Sequence, residues 1–221
     1  MFLVIQILFN ALLIRCALAC PNSKLLWKGV TAEDKEIILD VHNRYRQAIS
    51  LGRIRGQPSA TNMLEMTWDE ELATMAQNWA NQCEFRHDPD LGTASARFPV
   101  GQNLAKSWSE PVPNQYGESA EWASQIRNWF NELYLYGRND YLNSGHFTQV
   151  IWGDSHLLGC GYLYYKNQRR YVKLYVCNYG PGGNIIGRPA YKKGPPVCER
   201  RDLRPSSGYL GLCEVVDNAA D

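Results

Sequence analysis

The sequence lacks the patterns that would identify an enzyme or a structural metal centre directly. It has no Cys-x-x-Cys pair, no His-Glu-x-x-His motif and no Gly-x-Ser-x-Gly elbow, which argues against a zinc ribbon, a zincin metalloprotease and a lipase-type hydrolase. It also has no Asn-x-Ser/Thr sequon, so N-glycosylation is not expected. Gly180-Pro181-Gly182-Gly183 indicates a tight turn rather than a phosphate loop, because no clear helix pattern follows it.

A charge bias is missing as well. The 221 residues include 23 Lys and Arg against 22 Asp and Glu, and this balance argues against nucleic acid or an anionic membrane as the main partner. After residue 19, no apolar run is long enough to span a bilayer. We therefore expect a mature chain without a membrane span. We also expect this chain to be a monomer.

Residues 1–19 have the features of a secretory signal peptide. Phe2 to Ile14 is mostly apolar, and Ala17-Leu18-Ala19 provides a cleavage site of small residues. Cys16 would leave with this segment, so an even number of cysteines remains in an exported, extracellular chain, which indicates disulfides. The remaining cysteines are Cys20, Cys83, Cys160, Cys177, Cys198 and Cys213.

The second half of the chain predicts a β-hairpin. Two β-rich runs, Leu158–Tyr165 and Tyr171–Tyr179, flank a polar turn at Lys166–Arg170. A turn centred there places Cys160 opposite Cys177, at a Cα separation that a disulfide allows. The other cysteines are then expected to pair as Cys20–Cys83 and Cys198–Cys213.

Residues 31–50 predict the first helix, with Thr31 as its cap. We expect His42 and Arg46 to lie on faces other than the apolar stripe. That stripe, at helical spacing, comprises Ile37, Ile38, Val41, Tyr45 and Ala48.

Later segments complete the predicted elements. Thr67–Cys83 predicts a second helix, capped by Thr67 with Glu70 completing a capping box. A short strand or turn is expected at Val100–Ala105. Ser119–Tyr134 predicts a third helix with Glu132 near its C-terminal end, where the helix dipole opposes a carboxylate unless another group holds it.

His146 precedes a predicted strand, Phe147–Trp152, in which aromatic and β-branched residues dominate. A histidine at the mouth of a strand can be held rigidly while its ring stays reachable. Taken alone, such a histidine more often makes a structural hydrogen bond.

Four motifs resemble those of the CAP superfamily, which contains cysteine-rich secretory proteins, antigen 5 and plant pathogenesis-related proteins. They occur in the family's order within residues 31–187, and Ala80-Asn81-Gln82-Cys83 before His87 resembles the arthropod antigen 5 branch. The motifs are His42-Asn43-x-x-Arg46, Gly101-Gln102-Asn103-Leu104, the run from Gly145 to Ser155, and the run from Leu174 to Ile185.

The resemblance implies an α+β fold, a single three-layer α-β-α sandwich with a central antiparallel sheet, stapled by disulfides. We expect a CAP domain over residues 20–188 and a C-terminal extension over residues 189–221 that contains the Cys198–Cys213 loop. The family's cleft is lined by two histidines and two acidic residues. By motif these are His87, His146 and Glu132, whereas the second acid is replaced by Gln102 in this chain.

This cleft admits two interpretations. His87 and His146, supported by Glu132, can bind Zn²⁺ with a position left open. Gln102 is a poor zinc ligand, so the affinity is expected to be weaker than with a second carboxylate, and no cofactor is required for the fold. Alternatively, these side chains form a satisfied polar network that only shapes the cleft.

The resemblance favours a secreted, non-enzymatic binding protein of the venom allergen type. Its partner would be an extracellular protein or a small apolar ligand such as a sterol, bound in a groove lined by the third helix and the loop Ser107–Gly117, unless those aromatics are ordinary core. The alternative is a protease-like hydrolase in which Glu132 and the histidines activate water or Ser144. Ion-channel block is disfavoured, because no cysteine-rich domain follows the sheet.

Overall fold

The computed structural model describes residues 20, 22–136 and 143–216. The expected signal peptide, residues 1–19, lies outside them. Three disulfides join the pairs that the sequence suggests, namely Cys20–Cys83, Cys160–Cys177 and Cys198–Cys213.

The described strands are β1 (Lys24–Lys28), β2 (Thr67–Trp68), β3 (Gly101–Ser109), β4 (Leu157–Lys166), β5 (Tyr171–Gly180), β6 (Leu203–Pro205) and β7 (Cys213–Val215). Four longer strands build a central sheet in the order β1-β4-β5-β3, with β2 paired in parallel to the start of β4. All other pairings in this sheet are antiparallel. A separate pair, β6–β7, lies in the C-terminal segment.

The described α-helices are α1 (Ala32–Ser50), α2 (Glu70–Ala80), α3 (Trp122–Asn131), α4 (Leu133–Tyr136) and α5 (Gly145–Val150). They cover both faces of the sheet, so the expected three-layer α-β-α sandwich is confirmed. One face packs against α1, α3 and α5 through a large core that includes Trp122, Phe147 and Tyr175. The other face packs against α2 through Ala76 and Leu163.

Two glycines in β4 allow α2 to lie directly on the sheet. A Cβ at Gly159 would come within 2.1 Å of the Ala73 nitrogen, and one at Gly161 within 2.4 Å of the Gln77 nitrogen. Because both obstacles are helix backbone, the strand requires glycine at these positions.

The first helix and the hairpin agree with the sequence expectations. Thr31 caps α1 by accepting a hydrogen bond from the Asp34 amide, and Cys160 lies opposite Cys177 in the β4–β5 register. The expected faces of α1 are wrong, however: Ile37 is at the surface, whereas His42 and Arg46 are fully buried. Their polar groups find hydrogen-bond partners inside the protein, which compensates for their burial.

The predicted strand Phe147–Trp152 is wrong, because this segment forms helix α5 and the turn that follows it. Phe147, Val150 and Ile151 are all fully buried, and their i, i+3, i+4 spacing is that of a helix face. The residue composition of this segment favours a strand, but the spacing of its buried apolar residues is helical, and the segment folds as a helix.

Other boundaries also differ. Asp69, not Thr67, caps α2 by accepting from the Leu72 amide, because Thr67 is engaged in the parallel pairing with β4. The third helix ends at Asn131, and Glu132 is its C-cap. The strand β3 is longer than the expected short segment, and β1 was not predicted because a five-residue edge strand gives little periodic signal.

Candidate functional site

A polar cleft of about 270 Å³ opens at the end of the sheet where β3 begins and β5 ends. It brings together all four side chains that the motifs suggest, namely His87, Gln102, Glu132 and His146. The full lining is His87, Gln102, Asn103, Glu132, Asn143, Gly145, His146 and Asn184.

Glu132 holds His146 through both carboxylate oxygens. Its Oε1 is 2.6 Å from His146 Nδ1, and its Oε2 accepts the His146 amide at 3.0 Å and the Phe147 amide at 3.4 Å. The amides at the start of α5 therefore stabilise a carboxylate that the C-terminus of α3 would disfavour. The carboxylate can only accept at Nδ1, so that nitrogen carries a proton, and in the neutral ring His146 Nε2 keeps its lone pair.

Gln102 orients His87 in a similar way. Asn178 Nδ2 donates to the Leu72 carbonyl at 3.4 Å, so Asn178 Oδ1 accepts from Gln102 Nε2 at 3.1 Å. This arrangement directs Gln102 Oε1 to His87 Nδ1 at 3.1 Å and to the Asp88 amide at 3.3 Å. His87 Nδ1 therefore donates to Gln102, and in the neutral ring its Nε2 retains the lone pair.

The loop that carries His87 is fixed on both sides. Before it, Trp79 Nε1 donates to the Arg86 carbonyl at 2.8 Å, close to the Cys20–Cys83 disulfide. After it, Arg97 binds Asp69 through two hydrogen bonds of 2.9 and 2.8 Å. His87 is thus positioned by the fold although it lies outside every helix and strand.

A second polar network lies beneath the cleft. His42 Nδ1 donates to the Ile38 carbonyl at 2.7 Å, and His42 Nε2 accepts from the Tyr179 hydroxyl at 2.9 Å. Asn103 Nδ2 donates to the Tyr179 oxygen at 3.2 Å and to the His146 carbonyl at 3.1 Å. Burial lowers the pKa of His42 to about 4, so this ring is neutral and links α1 to the backbone of the cleft.

Arg46 supports the far end of α5. It donates at 2.8–3.2 Å to five backbone carbonyls around the end of that helix, those of Leu64, Val150, Trp152, Gly153 and Ser155. Burial lowers its pKa to about 9. His42 and Arg46, from one motif, therefore position α5 from inside rather than lining the cleft.

Asn103 and Asn184 are cleft residues that the sequence reasoning did not single out. Asn184 donates to the Gly145 carbonyl at 2.9 Å and accepts from Thr148 Oγ1 at 2.6 Å, which ties the loop after β5 to α5. Both asparagines belong to the motifs quoted in the sequence analysis, so membership of a motif was a sequence signal that could have identified them as cleft residues.

Two other expected contributors lie elsewhere. Ser144, the suggested nucleophile, is fully buried. The third helix directs its apolar side chains into the main core, so they form no open groove. The buried members are Trp122, Ile126, Trp129 and Phe130.

The described residues do not form a three-ligand metal site. In the ranges 22–136 and 143–216, no group of three His, Cys, Asp or Glu side chains converges closely enough to hold a metal ion. This agrees with the contacts, because both oxygens of Glu132 face His146 and its neighbour.

Comparisons with known proteins agree with the fold and the motifs. The model of the cysteine-rich secretory protein family, CAP, matches residues 39–179. Venom allergen 5 of Tityus serrulatus is 38% identical over 86% of this chain, and salivary antigen-5 of Triatoma infestans is 35% identical over 84% of it. The crystal structure of NaASP2 with Zn²⁺ has a TM-score of 0.67 at 28% identity and covers 84% of this chain and 97% of its own.

The chain covers 83% of the Triatoma infestans protein but only 50% of the Tityus serrulatus protein. It likewise spans 53% of the similar CRISP/Allergen/PR-1 protein of Trittame loki. No helix in the described part of the chain has the length and apolar character needed to cross a membrane. The family match, the relatives and the disulfide-stapled sandwich together establish that this chain belongs to the cysteine-rich secretory protein (CAP) family and is similar to its venom allergen 5 and salivary antigen-5 members.

Proposed function

We propose that this chain is a secreted, non-enzymatic binding protein that holds a divalent cation between His87 Nε2 and His146 Nε2 and presents it to an extracellular protein target. The observation that carries this proposal is that the two histidine rings are held in the same way, each by a hydrogen bond at Nδ1. Each donates its Nδ1 proton to a fixed side-chain oxygen and keeps an Nε2 lone pair. This is the arrangement in which metal-binding imidazoles are held in proteins.

The donor set fits a weakly bound ion. Two imidazoles suit Zn²⁺ or a similar divalent metal, and the other coordination positions stay open to water or to a group on a partner. Glu132 supports His146 rather than serving as a third ligand, because its oxygens are already engaged. The structural similarity to NaASP2, whose crystal structure is described as being with Zn²⁺, supports the same interpretation.

The site and the relatives also support action by binding outside the cell. The similar proteins are described as venom and salivary proteins, and three disulfides suit an oxidising compartment. The cleft lining is polar, so it favours a protein target over a sterol or another apolar ligand. Burial keeps Ser144 from any substrate in the cleft, which argues against the serine nucleophile of the hydrolase alternative.

Calorimetric titration with Zn²⁺ tests this proposal. The double variant His87→Ala/His146→Ala is expected to lose the binding isotherm, whereas His156→Ala, outside the cleft, keeps it. Glu132→Gln is expected to weaken binding about tenfold, because it removes the carboxylate that orients His146. Gln102→Glu is expected to strengthen binding, because it adds a negative charge behind His87.

The proposal is wrong if the wild-type protein takes up no divalent cation. It is equally wrong if the double variant binds Zn²⁺ as tightly as His156→Ala.

A further inference from the structure

A second cavity lies at the opposite end of the sheet from the cleft. It has a volume of about 510 Å³ and lies beside the β4–β5 turn. Gln102 pairs with Asn178 near the cleft, whereas Ser109 pairs with Tyr171 next to this turn. At about 3.4 Å per residue along β3, the two sites are roughly 25 Å apart.

The charges around this cavity are unbalanced. Arg169 and Arg170 line it, and Lys24 lies directly opposite Lys166 at the adjoining ends of β1 and β4. Like charges facing each other across an antiparallel pair are destabilising. The nearby acid Glu110 is engaged by Arg170 at 3.1 Å.

No ion pair between described residues includes Lys24, Lys166 or Arg169. The site therefore carries an excess of positive charge although the whole chain is close to neutral. An anion bound at this end would relieve the repulsion.

The walls of the cavity are held in place by the fold. The hairpin turn is closed by Asn167, whose amide donates to the Arg170 carbonyl at 3.0 Å and whose Oδ1 accepts the Arg170 amide at 3.1 Å. On the other side, the Ser23 amide donates to the Cys20 carbonyl at 3.1 Å, and the disulfide fixes Cys20 to Cys83. The concave shape thus exists before a ligand arrives, which lowers the entropic cost of binding.

The remaining groups suit a ligand with many hydroxyls. Asn22 and Gln168 add amide donors and acceptors to the lining. Trp108 is 53% exposed, and its ring lies 5.2 Å from the Arg170 guanidinium. Exposed indole rings pack against the apolar faces of sugar rings, and guanidinium groups bind sulfate in a forked geometry.

We propose that this basic pocket, lined by Asn22, Glu110, Asn167, Gln168, Arg169 and Arg170, binds a sulfated saccharide. Arg169 and Arg170 bind sulfate groups, the amides bind hydroxyls, and Lys24 and Lys166 attract the chain of negative charges. Glu110 limits the affinity, because it occupies the Arg170 guanidinium. The pocket is separate from the histidine cleft and functions without a metal ion.

Titration with a heparin-derived hexasaccharide at about 0.15 M salt tests this proposal. Arg169→Ala is expected to weaken binding about tenfold, because it removes charge-assisted hydrogen bonds. The matched control is Arg201→Ala, which removes one exposed arginine from residues 189–221 and changes net charge equally. This control is expected to leave the affinity unchanged. Glu110→Gln is expected to strengthen binding about threefold, because it releases Arg170.

Three further probes test whether the pocket prefers a sulfated saccharide to other anions. A desulfated hexasaccharide, inositol hexakisphosphate and phosphatidylserine vesicles are expected to bind more weakly than the sulfated probe. The proposal is overturned if the sulfated probe does not bind, if Arg201→Ala weakens binding as much as Arg169→Ala, or if the vesicles or the inositol phosphate bind more tightly. The His87→Ala/His146→Ala variant is expected to bind the saccharide normally, so failure of either proposal leaves the other one standing.

Discussion

The cleft and the network beneath it use similar side chains for different purposes, and burial separates them. His42 and Arg46 are fully buried, and both ring nitrogens of His42 and the guanidinium of Arg46 are engaged by hydrogen bonds. His146 is only partly buried, uses its Nδ1 for Glu132 and lines the open cleft. The comparison shows that a histidine in a family motif is a binding candidate only if one ring nitrogen stays both unprotonated and accessible.

The largest expected effect comes from a substitution in the buried network beneath the cleft. Arg46→Met removes the donors of five backbone carbonyls around α5, and we expect it to lower the free energy of unfolding by about 3–5 kcal/mol. Arg44→Met is the matched control on the same helix, because the Arg44 side chain is 71% exposed. Urea unfolding with the disulfides intact measures both, and equal losses for the two variants would contradict the account.

A smaller effect concerns pH. His42 has a folded pKa of about 4 against about 6.5 when unfolded, so below pH 6.5 the unfolded chain binds a proton that the folded chain does not. The stability contribution of the neutral ring is therefore complete above about pH 6.5. It declines by about 3 kcal/mol as the pH falls to about 4.

Comparing the wild type with His42→Gln isolates this contribution. The difference between their unfolding free energies is expected to shrink as the pH falls through this window. A difference that stays constant from pH 6.5 to 4 would show that His42 is not held neutral by the fold.

The sequence correctly predicts structural features that depend only on residues close together in the chain. The cap at Thr31 and the hairpin with Cys160 opposite Cys177 follow from a few neighbouring residues. The strand prediction for the segment after His146 is wrong: its aromatic and β-branched residues favour a strand by composition. Burial against α3 and the sheet instead selects the helical spacing of Phe147, Val150 and Ile151.

The candidate site was accessible to the sequence only through the motifs. Spacing along the chain does not reveal that His87 and His146 share a cleft, since one lies in a loop and the other in a helix. The roles of Gln102 and Glu132 as hydrogen-bond acceptors at Nδ1 required the tertiary contacts. The inward direction of Arg46 was also hidden, because its carbonyl partners are up to 109 residues away.

The most direct test of the cleft as a metal site is a long-range ¹H–¹⁵N NMR spectrum of the imidazoles, recorded at about pH 7.5 with and without Zn²⁺. The account predicts that His42, His87 and His146 all carry the proton on Nδ1. It further predicts that Zn²⁺ shifts Nε2 of His87 and His146 and leaves His42 unchanged. A proton on Nε2 of either cleft histidine, or Zn²⁺ shifts absent from that pair, would contradict it.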